Sequence, residues 1–170
     1  MPDPQKHAAD RNWFESLLQK IPGFRGYLDK QYRRESDQLA RKWMSDRLEK
    51  TKTAVNDYTL RLTQAGKLAE LAPCEKLRGR LDKVIGRFRG APAGYSALFD
   101  FVKVNEARLE QVYQHDVKLM GEVENVATRI ETLKNSQEDS ALAVPQLIDL
   151  IDTLDRDFDQ RANLLNGLED

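Results

Sequence analysis

Cysteine is almost missing from this chain of 170 residues. Cys74 stands alone, so no internal disulfide forms and no cysteine-rich metal site can be assembled. Histidine is nearly as scarce, with only His7 and His115. A carboxylate-bridged di-iron bundle needs two Glu-x-x-His pairs on facing helices, and Val112 stands three residues before His115. Long apolar runs are absent too. No stretch approaches the ~18 residues needed to span a bilayer, and the opening MPDPQKHAAD lacks the basic start and apolar centre of a secretory leader. There is no Walker loop and no dinucleotide fingerprint. These absences predict a soluble, cytoplasmic protein with no transmembrane segment, no metal and no cofactor.

What is present is charge, at 32% of residues, against 40% hydrophobic residues. That balance suits long two-faced helices better than a sheet-based core. The formal net charge of −1 conceals a division by position: residues 1–95 carry 20 Lys and Arg against 12 Asp and Glu, and residues 96–170 carry 7 against 16. Either the two halves neutralise each other when the chain folds back, or the protein has two faces of opposite sign.

Glycine and proline, 9 and 6 in number, are clustered and so mark the turns. Residues 1–9 hold two prolines and no apolar period, which predicts a flexible tail before a single helical domain at 10–168. From Asp10, Trp13, Phe14, Leu17, Leu18 and Ile21 have the spacing of a short amphipathic helix that Pro22 and Gly23 end. A stretch without Gly or Pro then runs from Tyr27 to Gln64, before Gly66, roughly 57 Å of helix. Leu28, Tyr32 and Leu39 mark one stripe on it, while Leu48, Val55 and Leu62 lie nearly opposite. The changeover at Trp43 and Met44 predicts a bend, or two halves packed against different neighbours. A helix from about Pro73 to Phe88 follows, with Leu77, Leu81, Val84 and Phe88 as its stripe.

The acidic half carries the most regular pattern. Tyr95, Leu98, Val102, Asn105, Leu109, Val112, Asp116, Leu119, Val123, Val126, Ile130 and Leu133 alternate steps of three and four, a heptad seam with polar residues at Asn105 and Asp116. After the NSQEDS turn, Val144, Leu147, Ile151, Leu154, Phe158, Arg161 and Leu165 repeat it, with Pro145 expected in the first turn. Short connections between long helices imply antiparallel neighbours. The predicted fold is all-α: an elongated antiparallel bundle, or pair of helical hairpins, with coiled-coil-like packing, four main helices and a short N-terminal one.

Two turn segments echo each other. Residues 21–27 read Ile-Pro-Gly-Phe-Arg-Gly-Tyr and residues 87–95 read Arg-Phe-Arg-Gly-Ala-Pro-Ala-Gly-Tyr, and both are expected at the same end of the bundle. Arg beside Gly at a helix start suits anions. Lys30, Arg34, Arg41 and Lys52 extend the charge as a basic stripe, and Arg78, Arg80, Lys83, Arg87 and Arg89 add to it. The candidate anion or partner-binding residues are therefore Arg25, Gly26, Lys30, Arg34, Arg41, Arg87, Arg89 and Gly90. The structural alternative has Gly and Pro turning the chain, Phe and Tyr capping the core, and Arg pairing with the acidic half. The IPGFRGYLDKQYRRESDQLAR and LDKVIGRFRGAPAGYSALFDFVKV segments, with LEQVYQHDVKLM after them, resemble an uncharacterised family of small helical bacterial proteins over about residues 20–120. That resemblance implies an intracellular, all-helical protein and supplies no activity, cofactor or catalytic residue.

Three further patterns bear on chemistry. Asp155, Asp157 and Asp159 match the opening of a calcium loop, but Gln160 replaces the required Gly and Asn166 the bidentate Glu, so a solvated or ion-paired acidic face is expected. Cys74 follows Pro73 at a helix start without a base near it in sequence, which fits a structural thiol. Asp116 on a packed seam requires a cation, with Arg34, Arg41 or an arginine of residues 73–88 as candidates; a grouping with Tyr113 and His115 beside a cavity is the functional variant. No acid/base pair or nucleophile arrangement emerges, so no enzyme is expected. The expected function is a helical scaffold or adaptor that binds a protein partner or a second copy of itself. The alternative is an anion-binding module on an acidic membrane surface; nucleic acid is disfavoured by the acidic half.

Overall fold

The computed structural model describes residues 33–90, 106–133 and 140–166, and these are built from helices. Helix α1 is Arg33–Gln64, a 3-10 turn covers Leu68–Glu70, α2 is Leu71–Gly90, α3 is Glu106–Thr132 and α4 is Ser140–Asn166. The all-α prediction therefore holds, with the four main helices in their predicted order. The expected N-terminal helix and the seam positions Tyr95 to Asn105 lie outside the described residues.

The ends follow local chemistry. Gly66 takes φ 71°, and the amides of Gly66 and Lys67 bond back to the carbonyls of Thr63 at 3.1 Å and Leu62 at 2.9 Å. That pair of bonds closes α1 on a residue in the left-handed region, which only glycine enters without strain. Gly66→Ala is expected to lower stability by about 1 kcal/mol, measured by urea unfolding. Pro73 falls in the first turn of α2, where no partner for its missing N–H is needed. Pro145 departs from expectation: α4 begins at Ser140, so the proline sits in its second turn and removes one bond from the helix ladder.

Inside, the predicted stripes face one another. Val112, Leu119, Val123, Val126, Ile130 and Leu133 of the α3 seam are buried, as are Val144, Leu147, Ile151, Leu154 and Phe158 of α4 and Leu77, Leu81, Val84 and Phe88 of α2. In α1 the core face keeps one register over the described residues, and Leu28 and Tyr32 of the other predicted stripe lie outside them. The core face runs through Ala40, Met44, Leu48, Thr51, Val55 and Leu62, while Leu39 is 36% exposed. Ala40 continues the stripe with a side chain too small to stand out in a hydrophobic pattern, and Leu39 belongs to the outer side. Buried Ser45 and Thr51 donate to carbonyls one turn back, at Lys42 and Leu48, so their hydroxyls are satisfied within the helix.

Ion pairs fix the topology. Arg80 meets Asp152, Lys83 meets Asp155, and Arg87 meets Asp155 and Asp159, so numbers rise together and α2 and α4 are parallel. Lys118 meets Asp157 and Asp116 meets Arg161, so α3 and α4 are antiparallel. Helices α1 and α2 form the other hairpin, and α1 packs on α3 through Arg47, which holds Glu124 at 2.9 Å and Glu131 at 2.6 Å. The order around the bundle is thus α1, α2, α4, α3: one bundle made of two hairpins side by side. The start of α1, the end of α2, the start of α3 and the end of α4 all lie at one end. At the opposite end the helices are joined by the short connections at 65–70 and 134–139. Among the described residues no helix is long and apolar enough to cross a membrane.

Candidate functional site

The end where those four termini meet carries several of the predicted arginines. Arg89 and Gly90, expected in a loop after a helix ending at about Phe88, extend the last turn of α2. Phe88 is fully buried and meets Phe158 edge-on at 4.8 Å between ring centres. Arg87 lies 5.5 Å over the Phe158 ring while binding Asp155 and Asp159. The bond to Asp159 raises the pKa of Arg87 further, with burial opposing and Asp155 adding to the rise. Arg89 reaches back to Glu49 at 3.2 Å and Asp46 at 3.9 Å on α1. Arg41 donates to the main-chain oxygen of Phe88 at 3.4 Å, where the end of a helix concentrates negative partial charge. Lys52, higher on the same stripe, binds Asp82 at 2.8 Å and Glu49 at 3.0 Å.

The basic stripe of α1 thus faces α2 at Arg41 and Lys52. Of the predicted anion residues, the structure gathers Arg41, Arg87, Arg89 and Gly90 at one end. Arg87 and Arg89 are matched there by carboxylates, and a Cβ added at Gly90 would meet open space. Arg34 lies within α1, and its side chain is outside the description, as are Arg25, Gly26, Lys30 and Asn105 altogether.

Asp116 finds its cation in a residue outside the expected set. Arg161 of α4, 2% exposed, donates Nε to Oδ1 at 2.6 Å and Nη2 to Oδ2 at 3.0 Å. The two-pronged geometry satisfies both carboxylate oxygens in the core. A signal for this existed in the sequence, since Arg161 is itself a seam position. His115 turns to α4 instead, with Nε2 2.8 Å from the carbonyl of Asp157, and a carbonyl only accepts, so Nε2 carries the proton.

Four aspartates of α4 do not converge. Asp152, Asp155 and Asp159 point to α2 and Asp157 to α3, because side chains two apart on a helix diverge by ~200°. Among the described residues no group of three His, Cys, Asp or Glu is placed to hold a metal ion. Desolvation works against the charge on Asp155, yet Lys83 and Arg87 outweigh it and hold the carboxyl below its usual range. Cys74 is buried and burial raises its thiol pKa, the reverse of an activated nucleophile.

Residues that sequence reasoning passed over are Arg47, Lys118 and Glu122, which flank the seams and leave no periodic trace. Lys118 binds Asp157 at 2.8 Å and Glu122 at 3.3 Å. No protein-family model matches the chain, and no curated protein or solved structure matches it.

Proposed function

We propose that this protein is a non-enzymatic helical scaffold or adaptor, acting in the cytoplasm, that recruits a protein partner or a second copy of itself. The observation that carries the reading is the asymmetry of the bundle. One end is joined by short connections, and at the other the start of α1, the end of α2, the start of α3 and the end of α4 come together. The bundle is then a support for the sequence segments 1–32 and 91–105, which adjoin those termini along the chain and hold Trp13, Phe14, Tyr95, Phe99 and Phe101. Aromatic residues anchor interfaces efficiently.

The anion-binding alternative is the weaker of the two. Arg87, Arg89 and Lys52 already face carboxylates, so a phosphate would have to displace them. The test is affinity capture of the tagged protein from its host at low and high salt, with proteins and lipids identified by mass spectrometry. A protein partner retained at high salt is the expected result. Recovery of acidic lipid alone, lost at high salt and in an Arg25→Ala/Arg34→Ala/Arg89→Ala variant, would replace the scaffold with the anion-binding module.

A further inference from the structure

We propose that Glu122 of α3 and Asp157 of α4 share one proton beneath Lys118, forming a latch between the two helices that weakens when the proton leaves. The two carboxyl groups converge on one ammonium. Lys118 Nζ sits 2.8 Å from Asp157 Oδ2 and 3.3 Å from Glu122 Oε1. One ammonium can neutralise one carboxylate, which leaves a second charge to be accounted for. Glu122 Oε2 is buried and has no hydrogen-bond partner as a carboxylate oxygen. A proton on Glu122 removes the excess charge and supplies an O–H donor for Asp157 to accept.

No other described cation is placed to do this. On α3 and α4, Arg161 is bound to Asp116, and His115 donates to the Asp157 carbonyl. On α1, Arg47 holds Glu124 and Glu131. On α2, Arg80, Lys83 and Arg87 hold Asp152, Asp155 and Asp159. Burial first, and then the neighbouring Asp157, push Glu122 above the usual carboxyl range, with Lys118 opposing. Burial opposes the charge on Asp157 as well, but Lys118 and Glu122 hold it below its usual range.

The signs follow. Glu122 binds its proton more tightly folded than unfolded, so its contribution is complete below the ordinary carboxyl range and is lost as pH rises through its folded value. Asp157 contributes above that range and is lost in stronger acid. Glu122→Gln keeps a donor toward Asp157 and removes the titration. Thermal melts from pH 4 to 9 should show the variant gaining on the wild type as pH rises, with amide exchange in α3 faster in the wild type alone at the alkaline end. In the full-length wild type, the Glu122 side-chain carboxyl carbon should titrate above exposed glutamates in NMR. A Glu122 midpoint equal to those of exposed glutamates, or parallel pH curves for the two proteins, would overturn the proposal.

Discussion

Arg161→Ala is expected to destabilise the fold by about 3–5 kcal/mol, because it leaves the Asp116 carboxylate buried without a cation. For a chain of this size each kcal/mol moves the melting temperature by about 2–4 °C, so the loss is about 6–20 °C. Both groups are almost fully buried, and the guanidinium uses two donors on two oxygens, so water has no route to replace it. The double replacement Asp116→Leu with Arg161→Met should return close to wild-type stability, since a well-packed apolar pair avoids the desolvation of both charges. Thermal and urea melts of the single and double variants measure this directly. An Arg161→Ala loss below about 1 kcal/mol would mean that Asp116 is solvated.

Phe88→Ala is the second large effect, at about 3–5 kcal/mol for a fully enclosed aromatic side chain. The ring fills the core at the end of α2, packs edge-on against Phe158, and stands beside the Arg87 contact to that same ring. Arg89→Ala, one residue on, should cost under about 1 kcal/mol, because its pairs with Asp46 and Glu49 are half exposed and screened. The contrast divides the repeated Phe-Arg-Gly segment by role: at 88–90 the phenylalanine holds the core, and the arginine next to it contributes little. Urea unfolding of the two variants side by side separates these roles, and equal losses would contradict the assignment.

The sequence disclosed α3 and α4 well because nearly every inward position is a large aliphatic at steps of three and four. Leu119, Val123, Ile130, Leu147, Ile151 and Leu154 are all buried, and the small buried residues Ala127 and Ala143 lie beside the seams rather than in them. Helix α1 misled for the opposite reason: its core face includes Ala40, Ser45 and Thr51, whereas Leu39 and Leu60 lie outside. The need for a cation at Asp116 was legible from its seam position. Arg161 stood out as a seam arginine, but its pairing with Asp116 depends on the register across the connection at 134–139. Glu122 and Lys118 sit beside the seam, where single residues carry no period, so their grouping with Asp157 emerges only from the packing of α3 on α4.

Charge division by position proved the most instructive feature. Arg47, Arg80, Lys83 and Arg87 of the basic half each meet carboxylates of the acidic half, so opposite charges are joined across the two hairpins. Acid should therefore loosen the contact between hairpins. Arg47 holds the Glu131 carboxyl below its usual range, and that stabilisation is lost as pH falls through its folded value.

Zero-length carbodiimide coupling of dilute full-length protein, followed by peptide mapping, tests that compensation most directly. Lys83 and Asp155 lie 2.7 Å apart across the hairpins, and Lys52 and Asp82 lie 2.8 Å apart within the first one. One bundle predicts both amide links inside a single monomer. A Lys52 to Asp82 link without the Lys83 to Asp155 link, or the latter found only in coupled dimers, would contradict it.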